Sequence, residues 1–247
     1  MGTRPCMTIS RRRLVASAAA GPLLSHATET SLSGRQKIVV TGGHPGDPEC
    51  GCAGTIARYT DLGHEVVLLY MNRGEGYCGT ETDLNRCGSV RTAEALRACD
   101  ILKARAAFVG QIDSRAIVDN GHYEQFGKII EAEKPDVVFT HWPVDNHRDH
   151  RAISMLALDA WLRSGKRYAF YYYEVADDTM MFSPAQYVDI SAVESRRRAA
   201  CYAHASQSPD KWYPAQTQIT RFRGMESGYA QAEAFLRHWQ SKSAILP

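Results

Sequence analysis

The sequence predicts a single α/β domain with a Rossmann-like parallel sheet flanked by helices, followed by a C-terminal extension. Short apolar runs that are typical of buried strands alternate with longer segments whose apolar residues recur at helical spacing. Such helical segments are long enough for right-handed crossovers between parallel strands. The first apolar run, 36–42, leads directly into a loop rich in Gly, His and Asp. In open α/β sheets, ligands bind at this end of the strands.

The individual elements follow from the same patterns. Strands are predicted at 36–42, 65–71, 106–109, 137–140, 168–175 and 187–190. Helices are predicted at 50–62, 89–104, 122–133, 148–163, 191–205 and 230–240. Gly63 suits the end of the first helix, and Pro135 ends the third. Ser89 and Ser191 are placed to cap two others. The aromatic strand at 168–175 is expected to leave one face exposed.

The N-terminus carries a pattern typical of a twin-arginine export signal. Three arginines at 11–13 precede an apolar run at 16–24 and the small residues Ser25 and Ala27. The apolar run is too short to span a membrane. We therefore expect residues 1–27 to be a cleaved signal, residues 28–247 to be the mature domain, and the protein to be periplasmic or extracellular without stable membrane insertion. The alternative is a disordered basic tail.

Length, composition and charge limit the classes of partner. The chain has 247 residues, of which 44% are hydrophobic and 23% are charged, as is usual for a globular domain. Loss of the predicted signal removes four arginines, so that 29 basic side chains become 25 against 27 acidic ones and the net charge changes from +2 to −2. No basic patch suited to many phosphates is evident, which argues against nucleic acid as a partner. The oligomeric state cannot be read from the sequence.

Six of the seven cysteines lie in the predicted mature chain. An even number of cysteines in an exported protein permits disulfides. Cys78 and Cys87 flank a polar insertion at 79–86 and are predicted to pair. Cys50 is left open as a partner for one of the others, since its spacing from Cys52 is too short for a usual zinc pair.

Two clusters of metal-binding residue types follow predicted strands. His44 and Asp47 are three residues apart after the first strand, and His147 and His150 are three apart after the fourth. Two imidazoles and a carboxylate with an open position for water are typical of a hydrolytic zinc site. A metal in such a site acidifies water and polarises a carbonyl. Because both clusters follow parallel strands, we expect them to meet at one edge of the sheet.

The clusters also resemble the motifs of a known family. The segment 44–49, His-Pro-Gly-Asp-Pro-Glu, is similar to the His-Pro-Asp-Asp-x-Glu signature of the LmbE-like/PIG-L family of zinc-dependent N-acetylglucosaminyl deacetylases. The segment 147–150, His-Arg-Asp-His, resembles its second motif, His-Pro-Asp-His. Weaker landmarks follow in the family's order, so that the resemblance covers about residues 36–207. These landmarks lie at 72–75, 110–113, 189–191 and 203–207.

The resemblance implies a role for each residue of the two clusters. His44, Asp47 and His150 would hold Zn²⁺ or another divalent metal, because two histidines and a carboxylate suit several ions. His147 would stabilise the oxyanion or protonate the leaving amine. Asp149 would orient His147.

The resemblance also implies contacts with a small-molecule or glycan amide. Arg73 and Asp113 match positions that contact sugar hydroxyls in relatives. Trp142, beside the second motif, is a candidate for stacking on a sugar or for packing in the core. Glu49 is expected to hold the first loop by hydrogen bonds, with a surface position as the alternative.

Gly46 departs from the family pattern, because it stands where the family has its general-base aspartate. General base catalysis contributes roughly 10²–10⁴-fold, or about 3–5 kcal/mol of barrier. Three interpretations stay open: Glu75 or Asp145 is a substitute base, the metal-activated water needs no base, or the protein binds sugar without cleaving it. The expected function is a metal-dependent hydrolase that removes an acetyl or other N-acyl group from an amino sugar or its conjugate. The alternative is a secreted, non-catalytic sugar-binding pseudoenzyme.

Overall fold

The computed structural model describes residues 34–247, which form a seven-stranded sheet flanked by helices. The predicted signal at 1–27 lies outside the described residues. In chain order the strands are β1 Lys37–Gly42, β2 Glu65–Tyr70, β3 Arg105–Phe108, β4 Val137–His141, β5 Ala169–Tyr173, β6 Gln186–Asp189 and β7 Ala232–Arg237. The helices are α1 Asp47–Asp61, α2 Leu84–Leu102, α3 Asn120–Glu133, α4 Arg148–Arg163, α5 Glu194–Tyr202 and α6 Pro209–Ser227. Within residues 34–247, no helix combines the length and the apolar composition that a membrane crossing requires.

The sheet confirms the predicted Rossmann-like architecture. Its strand order is β3-β2-β1-β4-β5-β7-β6. The first five strands in this order pair in parallel, whereas β7 runs antiparallel to both β5 and β6. The chain order reverses between β1 and β4, and in such sheets the loops diverge at this point and leave a crevice. The two predicted clusters follow β1 and β4, so both lie at this crevice.

Both faces of the sheet are buried under helices. Alternate residues of β1 point to opposite layers, with Ile38 and Val40 in the layer that contains α1, α2 and α5, and Val39 in the layer that contains α3 and α4. A parallel sheet that is covered on both faces gives continuous apolar strands of this kind. The expectation that the aromatic strand leaves one face exposed is therefore wrong, because every residue of β5 is buried.

The C-terminal segment differs from the prediction. The expected helix at 230–240 is the strand β7, and the helix of this region is α6, which lies earlier in the chain. Ala, Glu, Leu and Arg favour helix locally. However, β7 pairs with β5 on one side and β6 on the other, with Phe235 opposite Tyr173 and Gln186. The backbone hydrogen bonds of two neighbouring strands thus override the helical propensity.

The start of α2 also differs from the prediction. Asp83, not Ser89, caps α2, since the Asp83 side chain accepts the N–H groups of Asn85 and Arg86. The helix therefore begins at Leu84 instead of residue 89.

The predicted disulfide between Cys78 and Cys87 is confirmed. The other cysteines of the described part are buried and free, so Cys50 has no disulfide partner there.

We expect the disulfide to stabilise the folded chain moderately. It closes a short loop, because Cys78 and Cys87 are nine residues apart. Replacing both cysteines with Ser should lower the free energy of unfolding by about 2–3 kcal/mol, mainly through the entropy of the unfolded chain. Urea denaturation measures the change. Reductant should lower the stability of the unmodified protein by a similar amount and leave the double variant unchanged, and an unmodified protein insensitive to reductant would contradict this expectation.

Candidate metal centre

The loop between β1 and α1 brings the first cluster close to the second. A Cβ on Gly43 would lie 2.9 Å from His150 Cδ2, so only glycine permits this approach of the two loops. Gly46 has φ +111°, a conformation that L side chains rarely adopt. Asp47 then becomes the first residue of α1. A carboxylate is favourable at this position because the helix N-terminus carries partial positive charge.

One oxygen of Asp47 is the centre of the site. Its Oδ2 lies 3.3 Å from His44 Nδ1 and 3.1 Å from His150 Nε2. The three residues expected to bind metal therefore converge on one point. His141 Nε2 also lies 3.2 Å from this oxygen, although the sequence analysis did not single out His141. Among residues 34–247, three sets of side chains have ligand atoms within 4.8 Å of one another: His44, His147 and His150; Asp47, His141 and His150; and His44, Asp113 and Asp149.

Each imidazole of the predicted metal set has a carboxylate on its outer nitrogen. Asp145 Oδ1 lies 3.0 Å from His150 Nδ1. Asp149 Oδ2 lies 3.2 Å from His44 Nε2. Metal-binding histidines usually have such a partner, which fixes the ring and raises its basicity. The donor set therefore fits a divalent metal, and its two imidazoles and one carboxylate suit Zn²⁺ among other ions.

The charges in the cluster are strongly coupled. Burial alone would raise the pKa of Asp47, but the charge of His150 and hydrogen bonds from His141, His150 and His44 bring that pKa well below its usual value. Burial would likewise lower the pKa of His150, yet Asp47 and Asp145 raise it to about 9. His141 stacks on His150 with 4.0 Å between ring centroids. Burial and the charge of His150 lower the pKa of His141 to about 4. Because the two pKa values shift in opposite directions, at neutral pH and without metal only one of the stacked rings, His150, carries a positive charge.

Asp149 differs from its predicted role. Its Oδ2, besides contacting His44, accepts hydrogen bonds from Asn72 Nδ2 at 3.0 Å and from the Ser114 N–H at 2.7 Å. The backbone N–H of Asp149, not its carboxylate, donates to His147 Nδ1 at 3.2 Å. His147 is the N-cap of α4, where a side-chain acceptor commonly meets the first free N–H groups of the helix. Neutral His147 therefore carries its proton on Nε2.

A cavity of about 410 Å³ opens above the cluster. His44, Asp47, His147 and His150 all border it. Only one of the three residues expected to contact sugar, Asp113, does so. The cavity is large enough for a sugar-sized ligand, since small-molecule sites start at roughly 300 Å³.

The other two expected sugar contacts lie elsewhere. The guanidinium of Arg73 packs on α2, where a Cβ on Gly88 would lie 2.9 Å from Arg73 Cζ. Trp142 packs edge-on against Tyr172, with 5.3 Å between ring centroids, in the layer that contains α3 and α4. Neither residue borders the cavity. Trp142 thus packs beside the core, as one of its two interpretations expected.

Arg91 reaches the cavity in place of Arg73. Its guanidinium donates to the carbonyl oxygens of Pro45 and Tyr77, on two loops that border the cavity. Arg91 is also almost fully buried. Its position on the inner face of α2 was not distinctive in the sequence, because an arginine on a helix is most often solvated. It holds the loop between β1 and α1 against α2.

Glu49 holds the first loop from inside the protein. It is fully buried, and its Oε2 accepts the Gly46 N–H at 3.1 Å. Its Oε1 accepts the Tyr70 hydroxyl at 2.7 Å and lies 3.0 Å from His204 Nε2. The alternative of a surface position for Glu49 is therefore wrong. His204, which belongs to the landmark at 203–207, borders the cavity beside Gly46.

The structure does not place either predicted substitute base on the cavity. Asp145 lies behind His150, bound to the nitrogen that faces away from Asp47. Glu75 accepts the Arg73 N–H at 3.0 Å within its own loop. Both residues are almost fully buried and neither borders the cavity. Their carboxylates therefore have structural partners instead of a free path to a ligand.

Residues 39–161 match the sequence model of the family described as "PIG-L: GlcNAc-PI de-N-acetylase". The chain belongs to this PIG-L/LmbE-like family. A curated relative, the diacetylchitobiose deacetylase of Thermococcus kodakarensis, is 27% identical over 227 residues, which cover 80% of this chain and 81% of the relative.

Solved structures share the same fold. The N,N'-diacetylchitobiose deacetylase from Pyrococcus horikoshii is 23% identical, with a TM-score of 0.74 over 82% of this chain and 84% of that chain. The 4-carboxy-2-hydroxymuconate hydratase from Pseudomonas putida KT2440 is 19% identical, with a TM-score of 0.75 over 86% of this chain and 100% of that chain. Because these two neighbours have different activities, the fold alone does not define the reaction.

The backbone at Gly46 gives a test of the loop itself. A Cβ at Gly46 meets only the His204 ring, at 3.8 Å, so there is room for a side chain. The φ of +111° nevertheless strains any L residue. Gly46→Ala should therefore lower the free energy of unfolding by about 1–2 kcal/mol. Gly127→Ala is the control, because Gly127 lies inside α3 with open space around it, and this change should raise stability by roughly 0.5–1 kcal/mol. Thermal or urea unfolding measures both, and equal effects would refute the strain at Gly46.

Proposed function

We propose that this protein is a metal-dependent hydrolase that removes an acetyl or related N-acyl group from an amino sugar or its conjugate. The observation that carries the proposal is the convergence of His44 Nδ1 and His150 Nε2 on Asp47 Oδ2 at the floor of an open cavity. Membership of the PIG-L/LmbE-like family supports it. The deacetylase activity named for the T. kodakarensis relative is the reason for proposing an N-acetylated sugar.

The residues of the cluster have different roles in the proposed amide hydrolysis. A divalent metal held by His44, Asp47 and His150 would polarise the amide carbonyl and acidify water. His147 borders the cavity, and its Nε2–H is available as a donor because its Nδ1 accepts the Asp149 N–H. This donor can stabilise the oxygen that becomes negative as water adds to the carbonyl.

Preorganisation of the rings supports this mechanism. The outer nitrogens of His44 and His150 contact Asp149 and Asp145, so both rings are held in place before a substrate binds. The polar groups of the site then need little reorganisation during the reaction. Such preorganisation is the main source of electrostatic catalysis.

A second candidate function is that of a sugar-binding protein without hydrolysis. The observation that favours it is Gly46, which places no carboxylate at the position of the family's base. The two candidates differ in one outcome. Both predict a bound metal and binding of an N-acetylated sugar, but only the hydrolase releases an amine.

The first experiment measures metal content and amine release together. Mass spectrometry of the purified protein should find about one divalent metal per chain, whose identity it also establishes. A panel of N-acetylated sugars that includes N,N'-diacetylchitobiose should yield free amine and acetate. Metal binding with a stable, uncleaved sugar complex would instead establish the sugar-binding candidate.

Variants of the ligands test the site assignment. His44→Ala and His150→Ala should each abolish metal binding and amine release, since each removes one of three donors. His122→Ala is the matched control, because His122 lies on α3 and bonds only Asp119. This control should keep both metal and activity. Normal metal content in the His44 or His150 variant would refute the assignment.

Asp145 should control metal affinity without being a ligand. Asp145→Asn removes the carboxylate that polarises His150, so the metal affinity should fall about 10–100-fold. Competition with a chromogenic chelator measures the affinity. Asp159→Asn serves as control, since Asp159 pairs with Arg163 on the outer part of α4. Unchanged affinity in the Asp145 variant would show that the carboxylate does not tune His150.

A further inference from the structure

Amide hydrolysis is faster when a side chain takes a proton from the attacking water, and Gly46 offers no such group. Four aspartates border the cavity: Asp47, Asp113, Asp177 and Asp178. The Asp47 carboxylate already contacts the imidazoles of His44, His141 and His150. Asp113 lies 3.3 Å from His44 Nε2 through Oδ1, and its Oδ2 accepts the Gly76 N–H at 3.1 Å. These two carboxylates therefore already have partners.

Asp177 and Asp178 lie on the loop after β5, and they differ in burial. Asp177 is exposed, whereas Asp178 is partly buried. The Asp178 carboxylate accepts no hydrogen bond from any residue in the range 34–247, although its backbone carbonyl accepts the Asn146 N–H at 2.8 Å. It is thus a partly desolvated carboxylate at the cavity without a structural partner.

The loop that carries Asp178 is fixed to the segment that positions the metal-site histidines. Residues 178–180 run beside residues 144–146, which lead directly into His147. Besides the Asn146 contact, the hydrogen bonds are Met180 N–H to the Val144 carbonyl at 3.0 Å and Thr179 Oγ1 to Asp145 Oδ2 at 3.1 Å. Asp178 therefore keeps its place relative to His147 and His150.

The surroundings of Asp178 suit a proton acceptor. Burial raises the pKa of its carboxyl above the usual value. The charges that also act on this pKa are those of His150 on α4, of His147 at the N-cap of α4, of Asp145 on the loop before α4 and of Asp47 on α1. A carboxylate with a raised pKa is a stronger base, and a base works best when its pKa approaches the working pH.

We propose that Asp178 supplies, from the loop after β5, the general base that the family carries at the position of Gly46. This inference rests on the proposed hydrolase function. As the oxygen of water bonds to the amide carbon, one water proton passes to the Asp178 carboxylate. When the C–N bond breaks, its electron pair stays on nitrogen, and Asp178 returns the proton to that nitrogen. The products are a carboxylic acid and an amine, so water is the only co-reactant.

Kinetics of Asp178 variants test this role. Asp178→Asn should lower kcat roughly 10²–10⁴-fold with little change in KM, metal content or unfolding midpoint. Asp178→Glu should recover part of the loss. Added formate should partly restore Asp178→Ala, since a free carboxylate can occupy the space, and a purely structural residue would not show such rescue. Asp100→Asn, an exposed change on α2, should retain the kcat of the unmodified protein.

A binding measurement provides a readout that is independent of turnover. A carboxylate that returns a proton to the leaving nitrogen should also contact the ammonium group of the product. Calorimetry on the metal-free protein should therefore show that Asp178→Asn weakens binding of glucosamine by about 10–100-fold, as expected for loss of a hydrogen bond to a charged group. Binding of neutral N-acetylglucosamine should change much less.

The outcomes separate this inference from the proposed function. If the unmodified protein releases amine and Asp178→Asn matches it in kcat and in glucosamine binding, Asp178 is not the base and the hydrolase assignment stands. If the unmodified protein binds metal but cleaves no substrate, the hydrolase assignment fails, and the role of Asp178 fails with it.

Discussion

The site depends on the contact of one partly buried carboxylate oxygen, Asp47 Oδ2, with three imidazoles. A charge that is withdrawn from water in this way is costly unless it is paired and hydrogen-bonded. Here the imidazoles of His44, His141 and His150 surround it, and the His44 N–H donates to it at 2.8 Å. Its place at the first turn of α1 adds the favourable field of the helix N-terminus. Removing one partner would leave the remaining charges uncompensated. The contact therefore holds the loops after β1 and β4 together as one unit.

The topology of the sheet makes this contact possible. β1 and β4 are neighbours in the sheet although about a hundred residues separate them, with Val40 opposite Phe139. Their parallel pairing carries both carboxyl ends to the same edge, and the reversal of strand order there opens the crevice. The close approach at Gly43 lets the first loop contact α4 directly. The site is therefore made by long-range pairing, and no single segment contains it.

The loop at Gly46 keeps its conformation without a side chain at its tip. Gly46 has no side chain, yet the loop keeps its shape because Glu49 accepts the Gly46 N–H and bonds Tyr70 and His204. The loop is thus maintained by a buried network, not by the residue at its tip. The cavity still offers a partly desolvated carboxylate on another wall, at Asp178. In the role we propose for Asp178, the base of the reaction would come from the loop after β5 instead of the loop after β1.

The sequence by itself determined the elements whose signals are local. The periodicity of apolar residues predicts the parallel strands and their helices, the spacing of Cys78 and Cys87 predicts their disulfide, and strand-end placement predicts that His44, Asp47 and His150 meet. Only the tertiary structure decided the features that depend on distant partners. It turned the helix-favouring segment at 232–237 into β7 and brought His141 into contact with Asp47 in the candidate metal site. It also assigned the Asp149 carboxylate to His44 instead of His147. The physical reason is that such pairings depend on which surfaces the folded sheet brings together, and local sequence carries no record of them.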